Sequence, residues 1–236
     1  MIPQLVSRKF GYGSGMLAPN NNHFIINIPK NASSMIVDLA LHNDYTSAVW
    51  DETADNTDCD WTVTKNIVVV VRDPIKRWIA GVCQYLNSFI LSNMGPNGPY
   101  YENDPEAWTD ITRYVSAIEF INNYNEITER LIFDNACWLD DHVWPQHYFY
   151  ENILPSAGRL FYNLDKDNFL ETLAKDLNLK LKNNLDLNRG SDNSEIATLQ
   201  AFFKERINSR PDLRRRLRYM YQKDFYIYER SPYRNK

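Results

Sequence analysis

Residues 65–73, KNIVVVVRD, constrain the fold more than any other stretch of the chain. An isoleucine followed by four valines leaves no polar face, so a strand built from them must be covered on both sides. That is the environment of a parallel sheet with chain layered above and below it, as in an α/β protein. Pro74 follows directly, and proline at a first helical turn does no harm because its missing N–H has no partner there. PIKRWIAGVCQYLNSFI (74–90) therefore reads as the helix that leaves this strand.

Other segments fit the same alternation. HFIINI (23–28) is a short strand, and SSMIVDLALHN (33–43) carries apolar residues at helical spacing. Helices are expected over 110–123 and 165–177, with a strand RLFYNL (159–164) before the second. SEIATLQAFFKERI and RPDLRRRLRYMYQKDF close the chain as two helices. Residues 1–22, rich in glycine and asparagine, read as an irregular N-terminal arm. Gly11, Gly13 and Gly15 precede the first expected strand, which is the wrong place for a dinucleotide fingerprint. Residues 93–109 form a Pro/Gly/Asn loop bearing Tyr100, Tyr101 and Trp108, and 178–194 reads as a surface linker. The economical reading is a single α/β domain over 23–236 with helical additions toward the C-terminus.

With 236 residues, 44% of them hydrophobic, the chain can bury a real core. Its net charge of -4 argues against non-specific nucleic-acid binding, which needs a basic surface. The run RRRLR (214–218) reads accordingly as a solvated helix face. Cys59, Cys83 and Cys137 show no paired spacing and suggest reduced thiols. There is no apolar leader and no run long enough to span a bilayer, so the expectation is a cytoplasmic protein without a membrane partner.

FIINIPKNASSM (24–35) joins a strand to a helix through a short loop. Such a junction offers free N–H groups and the positive end of the helix dipole to an anion. Lys30 adds a charge, and Ser33 and Ser34 add hydroxyls; the alternative is that a serine simply caps the helix and Lys30 is solvated. Arg72 stands at the end of the valine strand, where open α/β sheets bind ligands, and Arg77 lies in the first turns of the helix after it. A guanidinium fork suits a phosphate; the alternative for Arg72 is a pairing with Asp73 or another carboxylate.

Taken together, PKNASSM and VVRDPIKRW resemble the two donor-binding motifs of the 3'-phosphoadenosine-5'-phosphosulfate (PAPS)-dependent sulfotransferases, P-K-x-x-S-[ST] and V-x-R-[DN]-P-x-x-R. The arginine-bearing motif is most similar to that of the Golgi-type carbohydrate enzymes. The resemblance implies a P-loop-like three-layer domain with a central, mainly parallel sheet flanked by helices. It implies that Lys30, Asn31, Ala32, Ser33 and Ser34 hold the 5'-phosphosulfate, and that Arg72, with Arg77, holds the 3'-phosphate. The serine usual eight residues after the arginine is Ala80 here. WLDDHVWPQ (138–146) is similar to an H-x-x-P-Q segment of some carbohydrate sulfotransferases, and YQKDFYIY resembles the C-terminal signature.

The activity implied is sulfuryl transfer from PAPS to a hydroxyl-bearing acceptor, with a sugar as the candidate class, releasing 3',5'-adenosine bisphosphate and needing no metal. Lys30 would neutralise charge on the leaving group. A general base must take the acceptor's proton. Of the four histidines, His142 is the first candidate for the base, with Asp141 and Asp58 behind it and His42 after them; beside His142, Asp141 would also orient the ring. The competing classes are a nucleotide kinase-like phosphotransferase, against which the missing G-x-x-x-x-G-K-[ST] counts, and a non-catalytic nucleotide-binding module, which Ala80 would favour.

Overall fold

The computed structural model describes residues 12–51, 61–91, 114, 116–136, 139–182 and 193–230. The aromatic loop 93–109, most of the linker 178–194, and Asp58, Cys59 and Cys137 lie outside those residues. Contacts divide the chain into two compact units. One comprises 7–73, 146–187 and 226–236; the other comprises 1–6, 74–145 and 188–225.

The first unit holds a five-stranded sheet in the order β3-β1-β2-β4-β5. Its strands are β1 (Tyr12–Leu17), β2 (His23–Ile26), β3 (Thr46–Asp51), β4 (Asn66–Val71) and β5 (Gly158–Asn163). The expected parallel core is present, because β4 pairs in parallel with both β2 and β5. The sheet as a whole is mixed, since β1 runs antiparallel to β2 and β3.

The span expected as an irregular arm thus contains β1, and Gly13 and Gly15 are sheet residues. A Cβ on Gly15 would lie 2.1 Å from the Ile25 carbonyl oxygen and 2.9 Å from the Phe24 ring. Only glycine permits that approach of neighbouring strands. The composition that suggests a loop is the mark of close packing.

The valine strand is covered on both faces, as its composition requires. Val68 and Val70 pack with Met35, Ile36 and Leu39 of α1 (Ser33–Leu41) and with Leu173 of α5 (Phe169–Leu177). Ile67, Val69 and Val71 face the other way, against Tyr150, Ile153 and Leu154. Arg159 ties down that other layer, its guanidinium donating to the carbonyls of Leu154, Ala157 and Ile153.

The second unit is helical. It contains α2 (Pro74–Tyr85), continued by a π-helical turn to Leu91, α3 (Ala117–Asn122), α4 (Glu126–Asp134), α6 (Ser194–Ser209) and α7 (Pro211–Met220). α8 (Gln222–Arg230) begins in this unit. Its core is aromatic: Trp78 packs 4.8 Å from Phe133 and 5.8 Å from Phe203, ring centre to ring centre. The buried Glu129 of α4 accepts from Arg206 Nε at 2.5 Å and Arg210 Nη1 at 3.1 Å, so its charge is paired with two arginines that remain partly exposed.

The single helix expected over 210–225 is two. The break falls at Tyr221, whose hydroxyl turns inward to donate to the Ala136 and Val143 carbonyls. No helix of the described residues is long and apolar enough to cross a membrane.

Candidate functional site

β2 delivers the chain into Pro29-Lys30-Asn31, and α1 begins at Ser33. Two residues of this loop take left-handed backbone angles, Lys30 with φ 67° and Ala32 with φ 58°. For an L-residue each such angle costs about 1–2 kcal/mol. Strain of that kind, placed at a strand-to-helix junction, holds the main chain in a shape the sequence would not adopt unaided.

Ala32 is the residue that precedes the helix, and no side chain caps the first turn. Ser33 and Ser34 are therefore helical residues rather than caps, the first half-buried and the second exposed. The first turn of α1 contains no acidic residue either. N–H groups without a side-chain cap and the positive helix end favour an anion at this point.

Asn31 takes a different role from the one implied for it. It is 2% exposed, and its Nδ2 donates to the Val70 carbonyl at 2.7 Å and to Gln146 Oε1 at 2.6 Å. Its side chain anchors the loop to β4, and its main-chain N–H donates to the Ile28 carbonyl at 3.1 Å.

Arg72 leaves the end of β4 half-buried. Its Nη1 donates to the Lys30 carbonyl at 2.9 Å. Burial pushes its pKa down while Asp165 and Asp73 pull it up, and a guanidinium stays charged throughout. Asp165 also accepts from the Asp73 N–H at 2.8 Å. Its carboxylate thus organises the turn after β4 and partly balances the arginine. Tyr228 of α8 sits against these same acids; desolvation and the two negative charges raise its pKa to about 12. Lys30, Asn31 and Arg72 are therefore brought together in one bonded group.

Arg77 belongs to the other unit and is 1% exposed. Its guanidinium donates to the Trp144 carbonyl and, at 3.5 Å, to that of Asp141. Burial lowers its pKa, against the opposing pull of Tyr221, Asp224, Asp141 and Asp140. Its observed task is to hold the 141–144 loop to α2 rather than to face a phosphate in solvent. Gly81, one turn further along α2, serves the same packing: a Cβ there would lie 2.5 Å from the His142 carbonyl oxygen.

His142 is carried by that pinned loop with its side chain 33% exposed. Its Nδ1 lies 2.9 Å from Asp140 Oδ2 and 3.3 Å from Asp141 Oδ1. Its main-chain N–H donates to Asp140 Oδ1 at 2.9 Å. The nearer orienting carboxylate is Asp140, not the Asp141 that adjacency in sequence suggested. Asp140, Asp141 and His142 also present ligand atoms within 4.8 Å of one another. Within this group the His142 ring bonds to Asp140. His42, the other histidine considered, is exposed at the end of α1, where its N–H bonds to the Asp38 carbonyl.

Sequence reasoning missed Gln146, which is 1% exposed and lies at the centre of the first group. Its position in the WPQ segment was the sole signal. No protein-family model, curated protein or solved structure matches this chain. The class that fold and site define is an α/β protein with a mixed sheet and a strained loop leading into a helix without a side-chain cap.

Proposed function

We propose that the protein transfers a sulfuryl group from PAPS to a hydroxyl acceptor, with a carbohydrate as the candidate class. The observation that supports this most is the joining of the loop before α1 to Arg72 at the end of β4. A donor with phosphates at both ends of its ribose needs two cationic or N–H-rich stations held at a fixed spacing. The loop offers Lys30 and the α1 N-terminus, and Arg72 offers a guanidinium.

In this reading the acceptor oxygen attacks sulfur, and the bond from sulfur to the bridging phosphate oxygen breaks. Lys30 and the helix N-terminus stabilise the charge left on the bisphosphate. His142 accepts the acceptor's proton, with Asp140 orienting the ring. Positioning and electrostatics do most of the work, as in phosphoryl transfer.

The test is direct. 3',5'-Adenosine bisphosphate should raise the melting temperature by mass action, and ATP, which lacks a 3'-phosphate, should raise it less. Radiolabelled PAPS should then pass its label to a sugar or phenol panel. Equal shifts from both nucleotides would remove the donor assignment.

A further inference from the structure

We propose that Gln146 is the positioning residue that locks the Lys30 loop to Arg72, a role that rests on the donor reading above. Val71 is the last β4 residue in the sheet ladder, paired with Asn163 of β5. The peptide of Arg72, one step further, has left that pairing. Gln146 supplies what a neighbouring strand would have given. Its Oε1 accepts the Arg72 N–H at 3.0 Å, and its Nε2 donates to the Arg72 carbonyl at 2.9 Å.

Pairing both main-chain groups of one residue restrains its backbone, and with it the direction in which the side chain leaves. The same Oε1 also accepts from Asn31 Nδ2 at 2.6 Å. The other proton of that Asn31 amide goes to the Val70 carbonyl. Asn31 Nδ2 faces two acceptors, and Gln146 sets its oxygen against two N–H groups and its nitrogen against a carbonyl, so the orientation of both amides follows from these bonds. Asn31 Oδ1 is buried without a partner among the described residues.

One buried amide is thus bonded to both segments assigned to the donor's phosphates. Displacing the loop must disturb Arg72, and displacing Arg72 must disturb the loop. The bridge resists displacement, since moving either segment alone strips bonds from the buried Gln146 and Asn31 amides.

Calorimetry on the full chain would compare 3',5'-adenosine bisphosphate with 5'-AMP, in the wild type and in Gln146→Met. Methionine keeps the length and apolar packing of the side chain but none of its hydrogen bonds. The wild type should prefer the bisphosphate, and the variant should lose about tenfold of that preference, the worth of one weakened hydrogen bond to a charged group. Affinities that fall equally for both ligands, or not at all, would overturn the proposal. A wild type without any preference would instead sink the donor reading.

Amide exchange in the unliganded chain gives an independent measurement, which needs neither nucleotide nor a folded Gln146→Met. Asn31→Ala removes one anchor of Gln146 without touching Arg72. Exchange at the Arg72 N–H should accelerate several-fold, beyond any change at β4 amides inside the ladder. An unchanged rate there would show the two segments to be independent.

Discussion

Arg72 Nη1 donates to the main-chain oxygen of Lys30 at 2.9 Å, so the end of β4 and the loop before α1 share a hydrogen bond. One arm of the guanidinium fork is engaged in this contact. Arg72→Ala should therefore weaken bisphosphate binding at least tenfold, removing a charged partner and loosening the loop together. Arg72→Lys should recover only part of the loss, because a point charge cannot hold carbonyl and phosphate in one plane. Full recovery by lysine, measured calorimetrically, would reduce Arg72 to a simple charge.

The left-handed angle at Ala32 gives a stability prediction that is independent of function. At φ 58° alanine carries strain that glycine does not, partly offset by glycine's larger entropy in the unfolded chain. Ala32→Gly should stabilise the protein by about 0.5–1 kcal/mol in a denaturant titration. A loss of stability would mean that the Ala32 methyl group contributes more through packing than its backbone strain costs.

The legibility of the fold followed the physical uniqueness of each signal. β4 was readable because an uninterrupted β-branched run has one common use, and α1 and α5 because their apolar residues recur at helical spacing. β1 was not, because Gly13 and Gly15 mark a loop and a tight strand contact with the same letters. The break at Tyr221 depends on a hydroxyl reaching the Ala136 carbonyl, far off in sequence. Arg77 shows the limit for the site: nothing in PIKRW separates a buried guanidinium bonded to carbonyls from one facing a phosphate. Gln146 has no periodicity at all, and only the tertiary structure gives it partners.

His23 predicts a pH dependence of stability. Burial on β2 lowers its pKa from the ordinary 6.5, so the folded state disfavours the imidazolium. Below that value the unfolded chain takes up the proton more readily than the folded one. The contribution is therefore fully present above pH 6.5 and declines as the pH falls toward the lowered folded-state pKa. Melting curves across this window should show His23→Gln to be less acid-sensitive than the wild type. Parallel curves would place the acid sensitivity in other groups.

The role of His142 can be separated from folding because its loop is held by main-chain atoms. Arg77 bonds to the Trp144 and Asp141 carbonyls, Tyr221 bonds to the Val143 carbonyl, and Asp140 accepts the His142 N–H. None of these contacts needs the imidazole. His142→Ala should leave the melting temperature and bisphosphate affinity near those of the wild type, while turnover falls roughly 100-fold, within the range for losing a general base. Asp140→Asn should give a smaller loss, since it weakens the orientation at Nδ1 while the ring remains. Asp141→Asn, at the longer distance of 3.3 Å, should cost less again. Turnover that merely followed the folded fraction in His142→Ala would remove His142 as the base. The order His142→Ala, Asp140→Asn, Asp141→Asn is the specific claim, and activity with labelled PAPS measured beside melting temperature tests it.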